Sequence, residues 1–361
     1  MSLDSGFNAR LMVELNTHFS IEDNYFVWRV GSKCPTGFRN AVTDPKWFSP
    51  EYINQHHGDW DQIFLHELFL TDRQILQLSD EAAKKITWVV WGHDLYRKPP
   101  KPTMQPRSIA VFVYRWLRQN SVFFRGYQHK VATKVSQFRR IAIGYPYDEV
   151  YIRKKYGSIV PVVYGPYFSH DTDRKQADAL RYLHAQQKHD SVNILIGHCG
   201  APFIEHEKYL KKLVKYKNQP IHIFMVMSYL ATSERITQVR MLAESLFTPE
   251  QFTIITELMP KEEYYQFLTR IDIAIFPFLH QSALGNTKRL AYMGVKLYFH
   301  PNGVLAKGFL SGGVDSCDCR KIGKLSYKEF SAPTTLPASD APLFNSFDYN
   351  RNIQAWGKIL S

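Results

Sequence analysis

The 361-residue chain carries 45 Lys and Arg against 33 Asp and Glu, a formal charge of +12, with 45% hydrophobic residues and four cysteines. That apolar content is enough for two cores of ordinary size and excludes a disordered chain. Few cysteines, no secretory leader and no apolar run of bilayer length exclude a disulfide-stapled secreted domain and a membrane-spanning protein, and point to a reducing cytosol.

In chain order, helical periodicity is expected first over residues 7–19. Because Met1-Ser2-Leu3 reads as a cloning remnant and a helix follows at once, a first strand and its phosphate-facing loop are expected to be trimmed. Short apolar strands are expected over 25–30, 62–66, 86–91, 140–144 and 159–164, with helical stretches between most of them. Gly165-Pro166 and the polar residues up to Asp171 interrupt the pattern as a linker does. A second series of strands is expected over 192–197, 221–227, 252–256, 272–277 and 295–300, and an aromatic helix over 345–360 closes the chain. This alternation predicts two Rossmann-like α/β domains of parallel strands facing a central cleft. The expected boundaries are 1–165, 166–340 and a terminal segment 341–361 that packs back across both domains.

The positive charge is concentrated. No acid occurs between Arg97 and Tyr147, while Arg107, Arg115, Arg118, Arg125 and seven further basic residues do, interleaved with Trp116 and other aromatics. An aromatic and arginine-rich stretch of this kind suits an interfacial helix, where each basic residue is worth roughly 1 kcal/mol against anionic lipid. An ordinary solvated helix face has the same pattern. No helix-turn-helix, zinc-finger or ribonucleoprotein signature accompanies it, so nucleic acid is not an expected partner.

Several strand ends carry polar groups where ligands gather in parallel sheets. The run Trp88-Val89-Val90-Trp91-Gly92-His93-Asp94 leads a strand into a glycine and a titratable pair. Asp94 is suited to deprotonating an acceptor hydroxyl, with His66 and His93 as further candidates; capping the next helix is the structural alternative. In the second series Gly197-His198-Cys199-Gly200 ends a strand, with Glu205-His206 opening the next helix. A later loop, Gln281 to Arg289, includes Gly285 and Asn286 and feeds a helix bearing Lys288 and Arg289. Free amides at a helix start together with two cations suit a nucleotide diphosphate, although an ordinary strand-to-helix connection looks alike. Asp59-Trp60-Asp61 precedes its strand and Asp171-Thr172-Asp173 lies in the linker, so neither is expected to hold Mg²⁺ or Mn²⁺. Cys317-Asp318-Cys319 lacks a second ligand pair and reads as loop thiols.

His66-Glu67-Leu68-Phe69, Trp88-x-x-Trp91-Gly92-x-Asp94-Leu95-Tyr96, Gly197-x-x-Gly200 with Glu205-His206, and Gln281-x-x-x-Gly285 before Gly294 occur in this order. The set resembles the TDP-N-acetylfucosamine:lipid II N-acetylfucosaminyltransferases, glycosyltransferase family 56, also called 4-alpha-L-fucosyltransferases. The likeness runs from about Phe7 to Trp356. It departs from the family's pattern at His198-Cys199, where Asn-Ser is more usual, and at His280, where an arginine is familiar. The resemblance implies a GT-B fold and a nucleotide sugar, TDP-linked in the family, held mainly by the C-terminal domain. It also implies a polyprenyl-pyrophosphate-linked saccharide as acceptor and a peripheral position on the inner face of the cell membrane. No cofactor and no metal are expected, since Lys288, Arg289 and a helix N-terminus can stabilise the departing diphosphate. Two other classes fit the sequence: a nucleotide-sugar epimerase of similar fold, and a non-catalytic basic binding protein.

Overall fold

The computed structural model describes residues 5–28, 37–92, 94–95, 113, 122–157, 160–165 and 174–361. The chain divides into two compact units, residues 1–169 with 350–361, and residues 170–349.

In the first unit, strands β1 (Phe26–Trp28) and β2 (Ala41–Thr43) form a separate parallel pair. The strand expected near residue 25 therefore stands outside the main sheet. That sheet runs β3 (Ile63–His66), β4 (Ile86–Val89), β5 (Arg140–Ile143) and β6 (Val162–Tyr164), all parallel and in chain order. All four residues of β4 are buried, as an inner strand covered on both faces requires. Helix Val122–Ser136 lies within the acid-free segment, and helix Pro146–Tyr156 begins with proline at its first turn and ends at Gly157 with φ +97°.

The last helix, Tyr349–Leu360, buries Asn352, Trp356 and Ile359. Its contacts lie in the first unit: Trp356 meets Phe64 and stacks on His66, and Gln62 donates to the Leu360 carbonyl at 3.1 Å. The Arg140 guanidinium donates to the Lys358 and Ile359 carbonyls, satisfying groups that a helix end leaves open. A side chain at Gly165 would overlap Ile359, so the close approach of this helix needs glycine there.

The second unit is a six-stranded parallel sheet of β7 (Val192–Ile196), β8 (Ile221–Val226), β9 (Phe252–Ile255), β10 (Ile273–Phe276), β11 (Lys296–Phe299) and β12 (Cys317–Asp318). Its spatial order is β12-β11-β10-β7-β8-β9. Read from β9, this is the 3-2-1-4-5-6 order of a doubly wound sheet, and the direction of winding reverses between β7 and β10. Strands β10 and β11 are buried throughout, and β7 is buried from Asn193 onward. Among the described residues, no helix is long and apolar enough to cross a membrane.

Candidate functional site

In a doubly wound sheet the loops at the reversal diverge and leave a crevice at the carboxyl ends of the strands. Here those loops are 197–205 after β7 and 277–283 after β10. Gly197 has φ +68°, and a Cβ on it would run into Ile204; a Cβ on Gly200 would run into Ala231. Both glycines are thus fixed by the turn itself. Arg235 clamps the turn from outside: it donates to the Gly200 carbonyl at 2.8 Å and makes a bidentate pair with Glu207 at 2.8 and 3.1 Å. Arg235 carries no motif, so the sequence reading missed it.

His198 is 5% exposed and sits among Phe203, Tyr229, Phe276 and Phe278, with ring centroids 5.7 to 6.3 Å away. Its Nε2 lies 3.0 Å from Ser282 Oγ, which ties the β7 turn to the β10 loop. Its Nδ1 is buried and has no hydrogen-bond partner among the described residues, and neither has Gln281 Oε1. Burial, followed by the charges of His280 and His206, pushes the His198 imidazole down to about 4, so it is neutral at pH 7. A buried polar atom without a partner is costly unless a ligand or water completes it.

Among the described residues, four helices start on the carboxyl edge of this sheet without a side-chain cap: His206–Leu213, Lys261–Leu268, Leu284–Met293 and Val304–Ser311. On the same edge Thr232 caps helix Ser233–Leu246, and Ser326, Ser79, Ser49 and Thr71 cap helices elsewhere. An uncapped N-terminus can offer N–H groups to an anion, whereas the Val304 amide is already taken by the Leu279 carbonyl at 3.0 Å. Glu205 and Ala283 immediately before two of them have φ +56° and +54°. Glu205 pairs with Lys208 at 2.7 Å, and Asn286 donates to Tyr264 at 3.0 Å. Gly285 and Asn286 lie in the first turn of Leu284–Met293.

Lys288 and Arg289 are placed differently from the sequence expectation that both face a phosphate. Lys288 is 6% exposed and donates to Ser346 at 3.0 Å, while Arg289 is 1% exposed with its guanidinium 3.7 Å from the centroid of the Tyr265 ring. These contacts fasten the helix to its own unit.

At the corresponding edge of the first unit, Asp94 is 6% exposed. One carboxylate oxygen accepts from the Trp91 and Leu95 amides at 3.1 and 3.0 Å, the other from the Leu68 amide at 2.9 Å and Trp88 Nε1 at 2.7 Å. Four donors fill this carboxylate, so the geometry gives Asp94 the role of binding the turn after β4 to the turn after β3 and leaves it no open site for a substrate proton. His66 stacks on Trp356, and burial pushes it down to about 4. His93, Arg107, Arg115, Trp116 and Arg118 lie outside the described residues, and of Arg125 only its place in helix Val122–Ser136 is described.

Among the described residues, no group of three His, Cys, Asp or Glu is placed to hold a metal ion. Cys319 Sγ meets the Tyr209 hydroxyl at 3.1 Å and Asp318 pairs with Arg320, so this short segment is engaged in the fold. Asp59 pairs with His56, and 171–173 lie outside the described residues.

Solved structures share this architecture. A glycosyltransferase from Rickettsia africae ESF-5 matches with TM-score 0.59 at 13% identity, covering 99% of this chain and 95% of that one. A UDP-forming α,α-trehalose-phosphate synthase from Burkholderia xenovorans matches with TM-score 0.51 at 8% identity, covering 96% and 84%. The fold is GT-B, and the protein is a glycosyltransferase. Residues 159–310 match the family model of the 4-alpha-L-fucosyltransferases, glycosyl transferase group 56. The resemblance found in the sequence thus holds over the segment with the two glycine turns, Glu205 and Gln281 to Arg289.

Proposed function

We propose that the protein moves a deoxy-amino sugar of the N-acetylfucosamine type from a nucleoside diphosphate, TDP in the first instance, to a polyprenyl-pyrophosphate-linked saccharide. The work is done at an anionic inner-membrane surface, in surface polysaccharide synthesis, and without a metal ion. The observation that carries the donor half is the reversal between β7 and β10, from which helices His206–Leu213 and Leu284–Met293 start without side-chain caps and where the buried Nδ1 of His198 has no partner among the described residues. A diphosphate is the group such N–H donors suit, and it gains negative charge as the glycosidic bond breaks. Gly197 and Gly200 let the backbone approach it, and Gln281, Gly285 and Asn286 border it.

The acceptor half rests on the family resemblance and on the acid-free basic segment. Calorimetric titration with dTDP and with thymidine, each with and without EDTA, tests the donor half. The diphosphate should bind at least about tenfold tighter than the nucleoside, since one charge-assisted contact is worth roughly 1.5–3 kcal/mol. Chelation should leave both unchanged. Equal affinities, or loss of dTDP binding with EDTA, would contradict this reading. Cosedimentation with anionic but not neutral vesicles tests the membrane half, and salt should weaken it.

A further inference from the structure

Helix His206–Leu213 and the turn Val214–Tyr216 bury Tyr209, Leu210, Leu213 and Tyr216. Lys208, Lys211, Lys212 and Lys215 recur between them at the spacing of one helix face. Residues 318–329 lie alongside: the Lys212 ammonium donates to the Arg320 carbonyl at 2.9 Å, Lys215 to the Lys324 carbonyl at 3.1 Å, and the Tyr216 hydroxyl to the Leu325 carbonyl at 2.9 Å. Together 205–217 and 318–329 carry nine Lys and Arg against four Asp and Glu. All four acids are engaged: Glu205 with Lys208, Glu207 with Arg235, Asp318 with Arg320, and Glu329 with the Ser326 hydroxyl. Lys211, Lys217, Lys321, Lys324 and Lys328 are exposed and form no ion pair among the described residues. Burial lowers the Lys212 ammonium from its usual range, and the like charges of Lys208 and Lys324 lower it further. Unpaired like charges gathered on one face repel each other, and a partner of opposite sign relieves that repulsion.

We propose that this lysine face of the second unit docks on anionic lipid headgroups; this rests on the membrane reading above and gives that reading a surface. Lysine is a compact point charge on a flexible stem and suits a diffuse plane of phosphates, whereas the fixed fork of arginine suits a single one. Arg320, the one arginine of the face, is already held by Asp318 at 2.8 Å. Nucleic acid fits less well, because the rings between the lysines, Tyr209 and Tyr216, are buried and offer no face on which a base could stack. The helix starts at the turn after β7, which puts the docking face beside the proposed donor site.

Cosedimentation of the full chain with vesicles of phosphatidylglycerol and phosphatidylcholine, and with phosphatidylcholine alone, tests this. Wild type should bind the anionic vesicles and not the neutral ones, and about 1 M salt should release it. Lys211→Glu combined with Lys324→Glu should bind the anionic vesicles at least about tenfold more weakly, since each basic residue near an anionic surface is worth roughly fivefold. That variant should melt as wild type does and bind dTDP within about threefold, as expected of exposed substitutions. Lys188→Glu combined with Arg270→Glu makes the same change of net charge at exposed positions elsewhere in the unit, and should keep vesicle binding within about threefold at physiological salt. A loss of less than tenfold in the first variant would overturn the proposal by leaving docking to another surface. An equal loss in the second would overturn it by reducing docking to net charge. Unchanged vesicle binding with weakened binding of dTDP or of an RNA oligonucleotide would give the face a different occupant. A wild type that binds neither kind of vesicle would refute the membrane reading itself.

Discussion

Asp94→Asn separates a structural carboxylate from a catalytic one. The replacement is isosteric, and its amide oxygen can still accept two of the four N–H groups. Its NH₂ group then faces the other two, which lose a charged acceptor and stay buried. Each buried donor left without a partner costs about 1–3 kcal/mol, so the variant should lose roughly 2–6 kcal/mol. That is a large share of the 5–15 kcal/mol typical of a folded protein. For a unit of this size 1 kcal/mol corresponds to about 2–4 °C, and differential scanning calorimetry should show the first unit melting at least about 4 °C lower. The dTDP affinity of the second unit should persist below that transition. An unchanged melting profile combined with lost transfer would refute the structural assignment and return Asp94 to the role of base.

Burial holds His198 and His206 neutral, each pushed down to about 4 from an unfolded value near 6.5. Because the unfolded chain binds protons first, their contribution is complete above about pH 6.5 and is lost as pH falls toward 4. Urea unfolding should show the second unit weakening through that window, by on the order of 3 kcal/mol for one such histidine. His206→Phe should flatten the slope, and an equally steep slope in the variant would sink the assignment. Gly197→Ala places a side chain against Ile204 at φ +68°, and should destabilise the second unit by about 2 kcal/mol or more while weakening dTDP binding. A change under about 0.5 kcal/mol would mean that the turn relaxes freely. Arg289→Ala should lower the melting temperature of the second unit by removing the stack on Tyr265; weaker dTDP binding at unchanged stability would put the guanidinium on the phosphates after all.

Much of the fold is legible in the sequence because buried parallel strands are near-continuous apolar runs. The ten expected strands each overlap an observed one, from Phe26–Trp28 to Lys296–Phe299. Ala41–Thr43 and Cys317–Asp318 escape because two or three residues give no period to read. The glycine turn at 197–200 is legible for the same reason that it is rigid: no other residue fits. What is not legible is the direction a polar side chain takes. Asp94 and Arg289 have the chemistry of a base and a phosphate ligand, yet four N–H donors surround one and Tyr265 lies under the other. Arg235 shows the converse, since a long-range clamp leaves no trace in residue spacing.

Hydrogen–deuterium exchange with and without saturating dTDP tests the donor site most directly. Protection is expected over residues 197–206 and 279–287, the loops at the reversal between β7 and β10 and the helix starts that follow. Protection confined to residues 63–95 of the first unit, or none at all, would contradict the placement of the nucleotide sugar.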